Sequence, residues 1–146
     1  MSGGRRYLLD TNIVSETRKV HMNDRVRAFL TEMDASSLYI SVLTVGELRK
    51  GVEIKRRSDP DAAILLNGWV DGLEQSFADR IVAIDTPIAR LWGELSSDRS
   101  RPVIDTLIAA TALTHDMILV TRNTKDLDGI DVALHDPWGK DRPGVL

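Results

Sequence analysis

Asp10 stands directly behind the apolar run Tyr7-Leu8-Leu9, and Glu47 lies a few residues behind Leu38-Tyr39-Ile40. Asp105 opens the segment Ile104-Asp105-Thr106-Leu107-Ile108-Ala109-Ala110-Thr111-Ala112, and Asn123 and Asp126 follow Met117-Ile118-Leu119-Val120. Carboxylates gathered within a few ångströms repel one another unless a cation sits among them, and hard oxygen donors favour Mg²⁺ or Mn²⁺ over zinc or copper. Ions held in this way suit a phosphate ester, because they bridge the phosphate, lower the pKa of an attacking water and stabilise the leaving oxygen. No histidine nucleophile is needed for that chemistry. His21, His115 and His135 are scattered, without the spacing of a ligand pair, and read as surface or helix-end residues.

Each acidic residue also has an ordinary structural role. Asp10 or Thr11 can cap the segment that follows the first run. Thr44 and Glu47 have the T-x-x-E spacing of a capping box, which puts Glu47 in the first turn of a helix, reaching back to the Thr44 backbone. Asp105 in a first turn gains from the helix dipole. Asn123 and Asp126 can serve a turn or cap, and Thr121 can bond a neighbouring carboxylate. What favours a site is convergence, since these groups all fall at one edge of the same predicted sheet. The stripe Asp105, Ala109, Ala112 adds to this by letting its helix approach another backbone closely.

The elements that would position these residues alternate along the chain. Short continuous apolar runs begin at Tyr7, Leu38, Ile81 and Met117, with a weaker one over 132–134, as in buried parallel strands. Between them, apolar residues at helical spacing predict helices over 24–33 and 44 to about 56, from 59 or 60 through Val70, after the Thr86-Pro87 pair, and over 104–113. The alternation predicts an α/β fold, a central mostly parallel sheet with helices on both faces, and a site at the carboxyl ends of its strands.

The 146 residues, 42% of them hydrophobic, suffice for one domain with a single core. The absence of cysteine excludes disulfides, thiolate zinc sites and cysteine nucleophiles, and fits a reducing cytoplasm. The apolar stretch near the start is too short for a signal peptide or membrane span. A formal net charge of -3 argues against a broad basic surface for nucleic acid.

Taken together, Leu8-Leu9-Asp10-Thr11-Asn12, the stretch Ser41 to Gly51 around Glu47, Asp105 to Ala112, and Val120-Thr121-Arg122-Asn123 resemble the PIN-domain ribonucleases, particularly VapC-like and FitB-like toxins. The resemblance spans nearly the whole chain and implies a single PIN domain over 1–146, with a loosely held tail from about 138. It further implies a Mg²⁺- or Mn²⁺-dependent endoribonuclease, the toxin of a VapBC-type toxin–antitoxin pair. RNA would be its substrate and a VapB-like antitoxin its inhibitor, with a homodimer, a toxin–antitoxin heterocomplex and no membrane association.

Carried over by position, Asp10 and Asp105 would bind the metal directly and Glu47 directly or through water. Asn123 stands where some relatives have a fourth acid, with Asp126 as a substitute. Thr11, Asn12 and Thr121 would orient carboxylates or water. A local basic rim would then offset the acidic net charge, with Arg49, Lys50, Lys55, Arg56 and Arg57 as candidates beside their ordinary reading as a solvated helix face on which Lys50 pairs with Glu53. Of Tyr39, Trp69, Trp92 and Trp138, only the last lies outside an apolar pattern.

Two other readings compete. A haloacid-dehalogenase-like phosphatase would need a second Asp where Asn12 stands, and an amide cannot donate the proton to a leaving group. A non-catalytic binding module of the same fold would use the acidic residues as caps only.

Overall fold

The computed structural model describes residues 4–139. Five short strands are β1 (Tyr7–Leu9), β2 (Leu38–Ser41), β3 (Ile81–Val82), β4 (Ile118–Val120) and β5 (Leu134–His135). Six helices join them: α1 (Thr11–Glu16), α2 (Asp24–Glu32), α3 (Val42–Ser58), α4 (Pro60–Ser76), α5 (Thr86–Leu95) and α6 (Val103–Thr114). The strands form one sheet in the order β3-β2-β1-β4-β5, and every neighbouring pair is parallel.

The sheet is apolar on both faces, as its continuous runs require. Successive side chains point to opposite faces, so Leu9, Ile40 and Val120 pack with Ile13, Val14, Val26, Leu48, Val52 and Val70 from α1 to α4. Leu8 and Leu119 face the other way, against Ile108, Ala109 and Ala112 of α6. Ala109 and Ala112 are fully buried, and their small side chains bring α6 close to the sheet. That approach holds the first turn of α6, and Asp105 with it, beside the end of β1.

Several boundaries differ from the sequence expectation. The helix α1 was not foreseen as a distinct element. The third run keeps strand pairing only over Ile81–Val82, and the fifth pairs at Leu134–His135 instead of 132–134. Helix α3 begins at Val42 because Ser41, the last residue of β2, is itself the N-cap, its hydroxyl accepting from the Leu43 N–H at 3.0 Å. Thr44 is therefore not a cap, and Glu47 lies beyond the first turn; the expected capping box is absent.

Trp138, at the start of the expected loose tail, packs against the core. Its backbone N–H donates to Asp136 at 2.9 Å, and the Gly139 carbonyl accepts from Arg25 at 2.6 Å. Residues 140–146 lie outside the described residues. Among the described residues no helix is long and apolar enough to cross a membrane.

Candidate active site

With β1 in the middle of the sheet, β2 to one side and β4 to the other, the chain reverses its direction of travel across the sheet at β1. A crevice opens at the carboxyl ends of the strands where such a reversal occurs. Asp10 is the first residue beyond β1. It is 94% buried and caps α1, its Oδ1 accepting from the Thr11 N–H at 2.8 Å. Its Oδ2 accepts from the Thr121 hydroxyl at 2.7 Å and from the Asn12 amide at 3.2 Å. One oxygen of this carboxylate thus serves the helix, and the other ties β1 to Thr121 and Asn12 at the carboxyl edge of the sheet.

The same small polar side chains tie neighbouring segments to this group. The Thr121 hydroxyl also accepts from the Asn123 N–H at 3.0 Å, and Asn12 Oδ1 accepts from the Arg122 N–H at 3.4 Å. The Thr11 hydroxyl lies 2.5 Å from Glu47 Oε1 and 3.0 Å from the Thr44 hydroxyl. Having one proton, Thr11 donates it to the carboxylate and accepts from Thr44. Glu47 is thereby aimed from α3 toward the start of α1, an orientation that the capping-box reading did not contain.

Asp105, partly buried in the first turn of α6, senses the whole group. Its pKa is pushed up to about 6, first by burial and then by the charges of Asp10, Asp126 and Glu47, with Asp126 close enough to share a hydrogen bond. The structure thus brings Asp126, from the 3₁₀ turn Thr124–Leu127, to Asp105. Asn123 is exposed, and its described contact with the cluster is a backbone one.

These four carboxylates are hard donors, of the kind that suits a divalent cation. The donors are all oxygens, and neither cysteine nor histidine takes part. Excess negative charge in a partly desolvated place raises the proton affinity of Asp105, and the same field favours a cation beside it. Among the described residues no three such side chains stand close enough together to hold a metal ion as they are placed.

Comparison with known proteins agrees with this architecture. Residues 7–132 match the family described as PIN domain. The chain belongs to the PIN-domain family. It is 37% identical to Toxin FitB of Neisseria gonorrhoeae over 145 residues, covering 90% of this chain and 97% of that protein. It is 31% identical to VapC ribonuclease Y4jK of Sinorhizobium fredii over 140 residues, covering 90% and 96%. The crystal structure of FitAcB from Neisseria gonorrhoeae superposes with a TM-score of 0.83 at 33% identity, covering 90% of this chain and 98% of that one. Membership in this family removes the phosphatase reading.

Within this PIN domain the basic residues expected on α3 fare differently from the acidic ones. Arg49 is committed to α4, donating to Asn67 at 2.8 Å, Asp71 at 2.6 Å and Glu74 at 2.5 Å. Its guanidinium is thus engaged by two carboxylates and an amide of α4. Arg56 pairs with Glu53 at 3.2 Å, which replaces the expected Lys50–Glu53 pair. Lys55, Arg56 and Arg57 fill the last turn of α3, where they complement the helix dipole. Lys55 lies about 12 Å along the helix from Glu47, at 1.5 Å per residue.

Two cationic residues escaped the sequence reading. Arg122 directly follows Thr121, and its guanidinium carbon lies 4.8 Å from the centre of the Trp138 ring. Arg101, with a side chain only 4% exposed, donates to the Leu95 carbonyl at 3.0 Å, the Asp128 carbonyl at 2.9 Å and Asp98 at 3.3 Å. It joins the end of α5, the approach to α6 and the turn beyond Asp126. The dipeptide Arg101-Pro102 before the apolar helix α6 was its only sequence signal, and it named no partner.

Proposed function

We propose that the protein is a divalent-metal-dependent endoribonuclease and the toxin of a VapBC-type pair. The observation that carries this reading is the placement of Asp10 at the switch point of the sheet, held by Thr121 and Asn12, with Glu47 tied to the adjoining Thr11 and with Asp105 near enough to Asp10, Glu47 and Asp126 for their charges to raise its pKa. The kinship with Toxin FitB and VapC ribonuclease Y4jK supports both the RNA substrate and the toxin role.

Asp10 and Asp105 would hold Mg²⁺ or Mn²⁺ directly, and Glu47 and Asp126 would complete the set directly or through water. When bound, the ion supplies Lewis acidity toward the phosphodiester and a water of lowered pKa. The protein's own share is positional. Thr121 and Asn12 fix the inner oxygen of Asp10, Thr11 fixes Glu47, and packing of Ala109 and Ala112 fixes the height of Asp105.

Partners follow from kinship. An antitoxin resembling VapB would bind the toxin, and a homodimer would form within the heterocomplex. The test of activity is incubation of purified, antitoxin-free protein with a mixed cellular RNA pool in Mg²⁺ or Mn²⁺, with and without EDTA. Metal-dependent cuts that vanish in Asp10→Asn support the nuclease. Cuts that persist in EDTA or in that variant contradict it, and folded protein that never cuts favours a binding module.

A further inference from the structure

Near Glu47, Arg49 is engaged by α4, Lys55, Arg56 and Arg57 lie at the far end of α3, and Lys50 stands exposed about one turn away; beside Asp10 the cation is a different one, Arg122. Arg122 is exposed and sits one residue beyond Thr121, which holds Asp10. Its backbone N–H is anchored to Asn12, and its guanidinium lies over Trp138. Among the described residues this guanidinium forms no ion pair. Glu16, which feels its charge, is already engaged by Lys19 at 2.9 Å and by the Asn23 N–H at 2.8 Å.

The surface under Arg122 is also fixed before any ligand arrives. The Trp138 ring packs on the core, the backbone N–H of Trp138 donates to Asp136, and the carbonyl of the next residue accepts from Arg25. An arginine held over an indole keeps its planar donors open while losing much of its rotamer freedom. Unpaired bases stack on aromatic rings and guanidinium planes, and their phosphates accept from the same donors.

We propose that Arg122 on Trp138 is a substrate-positioning platform for single-stranded RNA, receiving a nucleotide that flanks the scissile phosphate. This rests on the ribonuclease reading of the acidic edge. It places the strand across α1, between Asp10 and the 136–139 turn, and away from the basic end of α3.

The experiment is binding of a short, labelled single-stranded RNA of mixed sequence to the whole protein in EDTA, where cleavage is blocked, followed by cleavage kinetics with Mn²⁺. Arg122→Ala lowers affinity by about tenfold, the scale of one stacked base, and raises KM with kcat unchanged. Arg122→Lys restores only part of the loss, because charge returns without the planar fork. Arg5→Ala, at the opposite edge of the sheet, leaves affinity unchanged. Wild-type affinity and KM in a folded Arg122→Ala overturn the platform. So does full rescue by lysine, which would leave a simple charge effect. Cleavage with no role for Arg122 sinks this inference alone, whereas Arg122-dependent binding without any cleavage sinks the nuclease and keeps the platform.

Discussion

Asp10 and Asp105 carry the strongest predictions at the scale of single residues. Asp10→Asn keeps the α1 cap, since an amide oxygen can still accept from Thr11, but removes the charge from the inner oxygen. Cleavage is expected to fall more than about a hundredfold, because even outer partners of metal ligands are worth 10–100-fold, with the melting temperature little changed. Thr121→Val tests such an outer partner. Losing the 2.7 Å bond to Asp10 should weaken Mn²⁺ affinity by about 10–100-fold in a titration. Asp105 predicts a pH dependence. Its folded pKa of about 6 lies above the ordinary aspartate value of 3.8, so between these values the folded chain binds a proton that the unfolded chain has released. Its contribution to stability is therefore complete below the lower value and is lost as pH rises through about 6. Thermal melts in EDTA should fall across that window. Asp105→Asn should flatten the fall.

The positions of Asp10 and Asp105 were legible because each acid sits at an abrupt change of pattern, from apolar run to polar edge or at the first turn of an apolar helix. Glu47 was legible as a candidate but not in its setting. β2 passes into α3 with no intervening loop, and a serine that ends the strand also caps the helix, so the T-x-x-E spacing three residues later suggested a box that does not form. Asn123 and Asp126 could not be separated from sequence, because the choice depends on which way a 3₁₀ turn faces.

Among elements, the relation between α3 and α4 was hidden for a different reason. Arg49 meets Asp71 and Glu74 only after the chain folds back at Asp59, and no local pattern announces a pairing across more than twenty residues. The Arg122–Trp138 contact is equally non-local. Arg101 is the element-scale test, because its side chain joins α5, α6 and the turn that follows Asp126. Arg101→Ala should cost about 2–3 kcal/mol, in keeping with the loss of charge-assisted hydrogen bonds from a buried cation, as read by urea unfolding. Gly129 adds a constraint in the same place. Its φ of +85° suits glycine, and a Cβ there would lie 2.8 Å from Arg99 and 3.3 Å from Arg101, so Gly129→Ala should also destabilise this junction.

For the whole molecule, a parallel sheet covered on both faces leaves its carboxyl edge as the natural place for chemistry, and the four carboxylates are gathered there from β1, α3, α6 and the turn after β4. On the proposed reading the net charge of -3 would be offset locally, by a cation held at the carboxylates and by Arg122 beside them. Assembly is the other property of this scale. Ile64 and Leu65 on α4 are 64% and 74% exposed, and Ile54 on α3 is 56% exposed, more apolar surface than this helical hairpin needs for its own packing. Size-exclusion at micromolar concentration should give the mass of two chains, shifting to one in Leu65→Glu. A wild-type monomer would contradict the dimer.

The central claim is that the acidic edge is a divalent-metal centre, and calorimetric titration of Mn²⁺ into the metal-free protein tests it most directly. The account predicts saturable binding that is weakened at least tenfold in Asp10→Asn and in Asp105→Asn, both still folded. Saturable binding that survives both substitutions, or no saturable binding by the folded wild-type protein, would contradict it.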